Sequence, residues 1–201
     1  MIPSFRMPGE ERIDSALIFL KRTGEKYGIN PRRVLDAGSG PGFFTRILYV
    51  LYPAADVYAM DLSKDYLDLG VEDCSLKSSK TVHADIKYPW AGERFDLVIG
   101  MNVTADDPSA AEGWSALPPS EFLKFLTPGG FFFYTTPEFD PIDHRPSDNE
   151  VIQELIKRRM NLTPPELKPL EHKVIGDVDR SIEKEADFAT LYRYEPLKQP
   201  V

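Results

Sequence analysis

The sequence predicts an α/β fold: one domain in which helices cover a mostly parallel sheet. Three observations lead there. Strand-like and helix-like segments alternate over the first 136 residues, the order that builds parallel sheets. A short apolar strand, Val34-Leu35-Asp36-Ala37, runs into Gly38-Ser39-Gly40-Pro41-Gly42 and then at once into helix-like sequence. Finally, 201 residues, 42% hydrophobic and 28% charged, suit one well-cored soluble domain and leave little room for a second.

The elements follow in order. Residues 10–27 place Ile13, Ala16, Leu17 and Leu20 near helical spacing, with Glu10 and Glu11 in a favourable first turn, and Gly28 and Pro31 close the helix. Residues 33–37 form the first strand. A helix over 43–51 is stopped by Pro53. Residues 57–60 read as a strand ending at Asp61, and Ser63 is placed to cap the short helix after it. Strands are expected over 81–84 and 95–100. A short helix over 120–126 and a Thr127-Pro128-Gly129-Gly130 turn lead into an apolar strand over 131–136. A helix over 148–160 and two weaker strands near 172–175 and 188–194 complete the chain. No repeat, low-complexity tract or linker interrupts it. The expectation is a single domain over 1–201, with a helical cap over 1–30, a core over 33–136, and a helix and strand pair over 137–201.

Composition narrows the function classes. The net charge of −8 argues against a protein that grips nucleic acid through phosphate, although a local basic patch such as Lys157-Arg158-Arg159 keeps that class open. No apolar run approaches the roughly 20 residues of a membrane span. Residues 1–6 lack the apolar core of a secretory signal, and Cys74, the one cysteine, leaves no partner for an internal disulfide. A cytoplasmic location is expected. Four Asn and two Gln beside 18 prolines lean towards a thermophilic source.

The glycine loop carries most of the functional information. Glycines at alternate positions let the chain turn sharply and approach a ligand closely, so an adenosine-containing cofactor is expected. A phosphate loop of the type G-x-x-x-x-G-K-[ST] requires a lysine, and none lies between Gly38 and Gly42. The dinucleotide pattern G-x-G-x-x-G requires a third glycine where Phe43 stands. The remaining pattern, apolar-apolar-Asp-x-Gly-x-Gly-x-Gly, resembles motif I of the class I (Rossmann-like) S-adenosylmethionine-dependent methyltransferases.

That resemblance covers 33–136 well and the rest loosely. It implies a three-layer αβα sandwich around a seven-stranded sheet of order 3-2-1-4-5-7-6, with the last strand antiparallel. It also implies S-adenosylmethionine as cofactor, bound by Asp36, Gly38, Ser39, Gly40, Gly42, Asp61, Leu62, Asp85, Ile86, Gly100 and Met101. By this likeness Asp61 accepts from the ribose hydroxyls and Leu62 lies against the adenine. Asp85 accepts from the adenine amino group while Ile86 packs on the ring. Asp36 acts indirectly, orienting the glycine loop or the methionine amino group, which the backbone around Gly100 also meets. A carboxylate about 20 positions after such a loop serves dinucleotide proteins as well, so Asp61 supports adenosine without choosing the cofactor.

The acceptor side is less legible. Gly100-Met101-Asn102-Val103 lacks the [DNS]-P-P-[YF] of base-amine methylases, and Cys74 is misplaced for cytosine C5 chemistry. Thr135-Thr136-Pro137 offers no Asp-Asn pair to join Asp106 and Asp107, so no metal is expected. Loops over 104–119 and 137–147 form the expected acceptor wall, and His144 is the candidate base, set against a solvated surface role. Trp114 is read as an acceptor platform or a loop anchor, and residues 1–9 as a lid or a frayed end. The leading expectation is methyl transfer to a small molecule or protein. A non-catalytic S-adenosylmethionine-binding scaffold or sensor and an NAD-dependent oxidoreductase are its alternatives.

Overall fold

The computed structural model describes residues 10–73, 75–88, 93–101, 103–106, 114–139, 163–179 and 184–197. Helix α1 (Glu10–Tyr27) leads into β1 (Arg33–Ala37), α2 (Phe43–Leu51), β2 (Asp56–Asp61), α3 (Lys64–Glu72), β3 (Thr81–His83) and β4 (Phe95–Met101). A two-stranded hairpin follows, β5 (Thr104–Asp106) against β6 (Trp114–Ala116), and then a 3-10 helix over Pro119–Phe125. The chain continues through β7 (Leu126–Phe139), β8 (Leu167–Asp179) and β9 (Lys184–Tyr194).

Seven strands form one sheet in the order β3-β2-β1-β4-β7-β9-β8. With the separate hairpin set aside, this is the expected 3-2-1-4-5-7-6. Pairing is parallel from β3 to β7, and β9 runs antiparallel to both β7 and β8. The central strands are buried on both sides, which is why Val34-Leu35 and Phe95 to Gly100 read as runs rather than as alternation.

Each face has its own core. On one, Ala16, Phe19 and Leu20 of α1 and Phe44 and Leu48 of α2 pack on Val34, Ile99, Phe133 and Leu191. On the same side, α3 adds Leu67 against Ala59. On the other, Phe122 and Phe125 of the 3-10 helix meet Leu35, Val98, Phe132 and Tyr192, with the Phe122 and Phe132 rings stacked at 4.8 Å. The helix expected over 148–160 lies outside the described residues.

Several boundaries match closely. The first strand and second helix fall on 33–37 and 43–51 as expected. Ser63 caps α3, its hydroxyl accepting from the Tyr66 amide at 3.3 Å. Other elements differ for identifiable reasons. The 120–126 helix is a tighter 3-10 segment beginning at Pro119, with Pro118 as its N-cap. Thr127-Pro128-Gly129-Gly130 does not end a connection. It bulges out within β7, because Leu126 pairs with Phe95 and Phe131 with Leu97 on either side of it. Gly129 takes φ +81 in that bulge. Strands β8 and β9 are far longer than the apolar segments near 172–175 and 188–194, because these antiparallel strands, β8 at the sheet edge and β9 beside it, carry polar residues that conceal their length. The hairpin lies within what reads as loop.

Candidate functional site

The carboxyl ends of β1, β2, β3 and β4 bring most of the predicted residues to one edge of the sheet, where open α/β folds bind ligands. The glycine loop joins β1 to α2. Gly38, Gly40 and Gly42 take φ of +76, +53 and +88, a region glycine enters without the steric cost of a side chain. Packing dictates two of these glycines. A Cβ on Gly38 would meet the Val103 side chain at 2.8 Å, and one on Gly42 would meet Leu76 at 2.3 Å. At Gly40 an added Cβ meets nothing within 4 Å, so the apex of the loop is open.

The loop amides do not point into that open space. Gly38 and Ser39 both donate to the Met60 carbonyl, at 2.7 and 3.0 Å, and Gly42 donates to Ser39 at 3.0 Å. Gly40 donates to Asp61 Oδ2 at 2.8 Å. Pro41 has no amide hydrogen to give. Gly38, Ser39 and Gly40 thus give their amides to β2, and Gly42 gives its own within the loop. A diphosphate needs such donors, whereas a ribose needs acceptors.

Asp61 offers acceptor oxygens beside the loop. Its Oδ1 takes the Ser63 amide at 2.8 Å while Oδ2 holds Gly40. Two fixed bonds lock the carboxylate, and each oxygen retains a second lone pair for a hydroxyl. Beside it, Leu62 is 67% exposed, an apolar surface free for a ring to lie on. The ring of His83 bonds through Nε2 to the Leu62 carbonyl at 2.9 Å and ties this corner to β3.

Asp85 follows β3. Its Oδ1 accepts from Lys87 N at 2.8 Å, closing a local turn. Ile86 is buried in the core formed with Ala37, Met60 and Val103, so the face it offers a ring is limited. Gly100 and Met101 end β4. A Cβ on Gly100 would press on Phe122 and Tyr134 at 3.0 and 3.2 Å, so close packing demands that glycine. Ser39 turns its hydroxyl to the Gly40 carbonyl at 3.3 Å.

Asp36 sits beneath the loop, 1% exposed, and accepts the Thr45 hydroxyl at 2.5 Å. Burial pushes its carboxyl up to about 7; the Thr45 hydrogen bond opposes this rise, and the charge of Asp61 adds to it. Sequence reasoning singled out Asp36 but missed Thr45, Leu76 and Val103. The one usable signal was a threonine on the inward, otherwise apolar side of α2. His144, Asp107 and residues 1–9 lie outside the described residues, as do residues 107–113 and 140–147 of the expected acceptor wall. Among the described residues, no group of three or more His, Cys, Asp or Glu is placed to hold a metal ion. No described helix is long and apolar enough to cross a membrane.

Comparison with known proteins adds independent observations. Residues 34–130 match a family model described as a methyltransferase domain. Over 77 residues the chain is 43% identical to a malonyl-[acyl-carrier protein] O-methyltransferase of Legionella pneumophila, covering 37% of this chain and 27% of that protein. Over 117 residues it is 30% identical to the enzyme of the same name from Halorhodospira halophila, covering 56% of this chain and 37% of that protein. The chain thus spans well under half the length of these curated relatives. Its fold resembles the N-methyltransferase NodS from Bradyrhizobium japonicum WM9, solved in complex with S-adenosyl-L-homocysteine. The TM-score is 0.61 at 14% identity, over 94% of this chain and 91% of that one.

Proposed function

We propose that this chain, whose residues 34–130 match a methyltransferase-domain model, is of the class I, S-adenosylmethionine-dependent family and transfers a methyl group from S-adenosylmethionine to a small-molecule or protein-borne acceptor in the cytoplasm. The observation that carries this reading is the pairing of Asp61, clamped between the Gly40 and Ser63 amides, with a glycine loop whose amides are already used. Such a site accepts hydroxyl protons and offers no nest for a diphosphate. That favours a nucleoside joined to an amino acid over NAD.

The donor supplies an electrophilic methyl on a sulfonium, so no covalent enzyme intermediate is needed. The protein's work is to hold donor and acceptor in line and keep water away. In this reading Asp61 receives the ribose hydroxyls, Leu62 supports the adenine, and the second oxygen of Asp85 takes the adenine amino group beside Ile86. The backbone of Gly38 to Gly42 shapes the floor, with Asp36 orienting it from below. Gly100 and Met101 close the amino-acid end. His144 is proposed as base for an acceptor that must lose a proton.

Asp61→Ala is expected to weaken S-adenosylmethionine binding by about 1.5–3 kcal/mol, the scale of hydrogen bonds to a charged group. Calorimetry reads this directly, and an unchanged dissociation constant removes Asp61 from the ribose role. Turnover is tested by transfer of a labelled methyl group, first to malonyl-[acyl-carrier protein], the acceptor in the relatives' names, then to fractions of cell extract. Tighter binding of NAD than of S-adenosylmethionine would overturn the proposal.

A further inference from the structure

Two helices each bury a threonine, and the two hydroxyls are used differently. In α1, Thr23 donates back to the Phe19 and Leu20 carbonyls at 2.8 and 3.1 Å, a common use of a helical threonine. In α2, Thr45 reaches out of its helix to Asp36 Oδ2 at 2.5 Å, and both side chains are essentially sealed from solvent. Valine has the same shape and suits an apolar face better. What Thr45 adds at this position is a donor for the carboxyl.

That carboxyl stands at the end of β1, two residues before the glycine loop. Its register neighbours are Ala59 on β2 and Ile99 on β4, neither of which carries charge. Two titratable groups couple to it. Asp61 on β2 opposes its ionisation, and Tyr49 on α2 has its phenol pushed up by burial first and by Asp36 in part. Among the described residues no cation couples to Asp36, and the side-chain donor that favours its ionised form is the Thr45 hydroxyl. A ligand bearing a sulfonium and an ammonium over the loop would add positive charge on the side of the carboxyl that faces away from Thr45 and α2.

We propose that Thr45 is a positioning residue of the donor site: its hydroxyl holds the Asp36 carboxyl in place to answer the donor's positive charge, so that donor binding is coupled to loss of the carboxyl proton. The inference rests on the proposed donor. The balance is simple. Asp36 passes from acid to carboxylate, its proton goes to solvent, and no other bond changes. S-adenosylhomocysteine lacks the sulfonium charge and draws off less of the proton, which makes discrimination of donor from product depend on pH.

Calorimetry of the full chain near pH 7, in two buffers of different ionisation heat, counts the protons released. Wild-type protein is expected to release more with S-adenosylmethionine than with S-adenosylhomocysteine, and Asp36→Asn only what the ligand itself exchanges. Thr45→Val should bind the donor roughly tenfold less tightly near pH 7 and reach full affinity only at higher pH, the size expected of a charge-assisted hydrogen bond. Thr45→Ser should restore both. Equal weakening of Thr45→Val at every pH with unchanged proton release would make the threonine merely structural and overturn the coupling. Donor binding without any difference from Asp36→Asn would do so too. Absence of binding by either ligand would overturn the proposed function itself, and the coupling with it.

Discussion

Replacing Asp36 by asparagine is expected to stabilise the fold at pH 8 by about 3–4 kcal/mol and to leave it nearly unchanged near pH 4. The carboxyl is sealed between β1 and α2, and burial raises it from 3.8 to about 7 in the folded chain. Between those values the folded state holds a proton that the unfolded state has lost. Stability from this group is therefore fully present below the unfolded value and is lost as pH rises through the folded one. At about 1.4 kcal/mol per pH unit, the gap limits the cost to about 4 kcal/mol. Asparagine keeps an acceptor for Thr45 and carries no charge to desolvate. For a chain of this size, the difference corresponds to a melting temperature roughly 10 °C higher at pH 8. Melting curves at the two pH values check it, and an equal gain at both would show that Asp36 stays ionised in the fold. A protein that tolerates this cost gains something from the carboxylate, and the donor site above it is where that gain is proposed to lie.

Gly42→Ala is expected to destabilise the fold by about 2–5 kcal/mol. Two independent effects add. A side chain at φ +88 costs about 1–2 kcal/mol, and a carbon placed 2.3 Å from Leu76 overpacks a buried site by about 1–3 kcal/mol. Leu76 belongs to the small core with Ala59 and Leu67, so it has little room to move aside. The steric share is testable by a double-mutant cycle. Leu76→Ala opens the space that the new methyl needs, so the double variant should cost at least about 1 kcal/mol less than the sum of the singles. Simple additivity would show that backbone strain alone is responsible. Gly40→Ala provides the contrast. It has room for a methyl, so only the backbone cost of φ +53 remains, about 1–2 kcal/mol or a few degrees in melting temperature, yet that methyl enters the open space at the loop's apex, so donor affinity falls.

The same residues show how far sequence reading reaches. β1 and α2 were legible to the residue, because an apolar run ending in Asp-x-Gly and a helix stopped by Pro53 are both local signals. The carboxylate at the end of β2 and the Ser63 cap were legible for the same reason. The direction of the loop amides was not. Whether Gly38 and Ser39 face a ligand or the Met60 carbonyl depends on how closely β2 lies beside the loop, which no local pattern encodes. The hairpin β5–β6 and the full length of β8 and β9 were hidden for another reason: their partners lie close in sequence, but cross-strand pairing lets polar residues of low strand propensity join the ladder.

Local chemistry in the chain thus determined the alternation of elements, the sheet they build and the acidic and glycine positions of the proposed nucleoside site. Packing across the sheet decided the rest: that β2 takes the loop amides, that Leu76 and Val103 dictate two of the glycines, and that Thr45 meets Asp36 nine positions away. The division is physical. Turns, caps and apolar periodicity act over a few residues, whereas hydrogen-bond direction, desolvation and steric exclusion exist only once distant strands and helices are in contact.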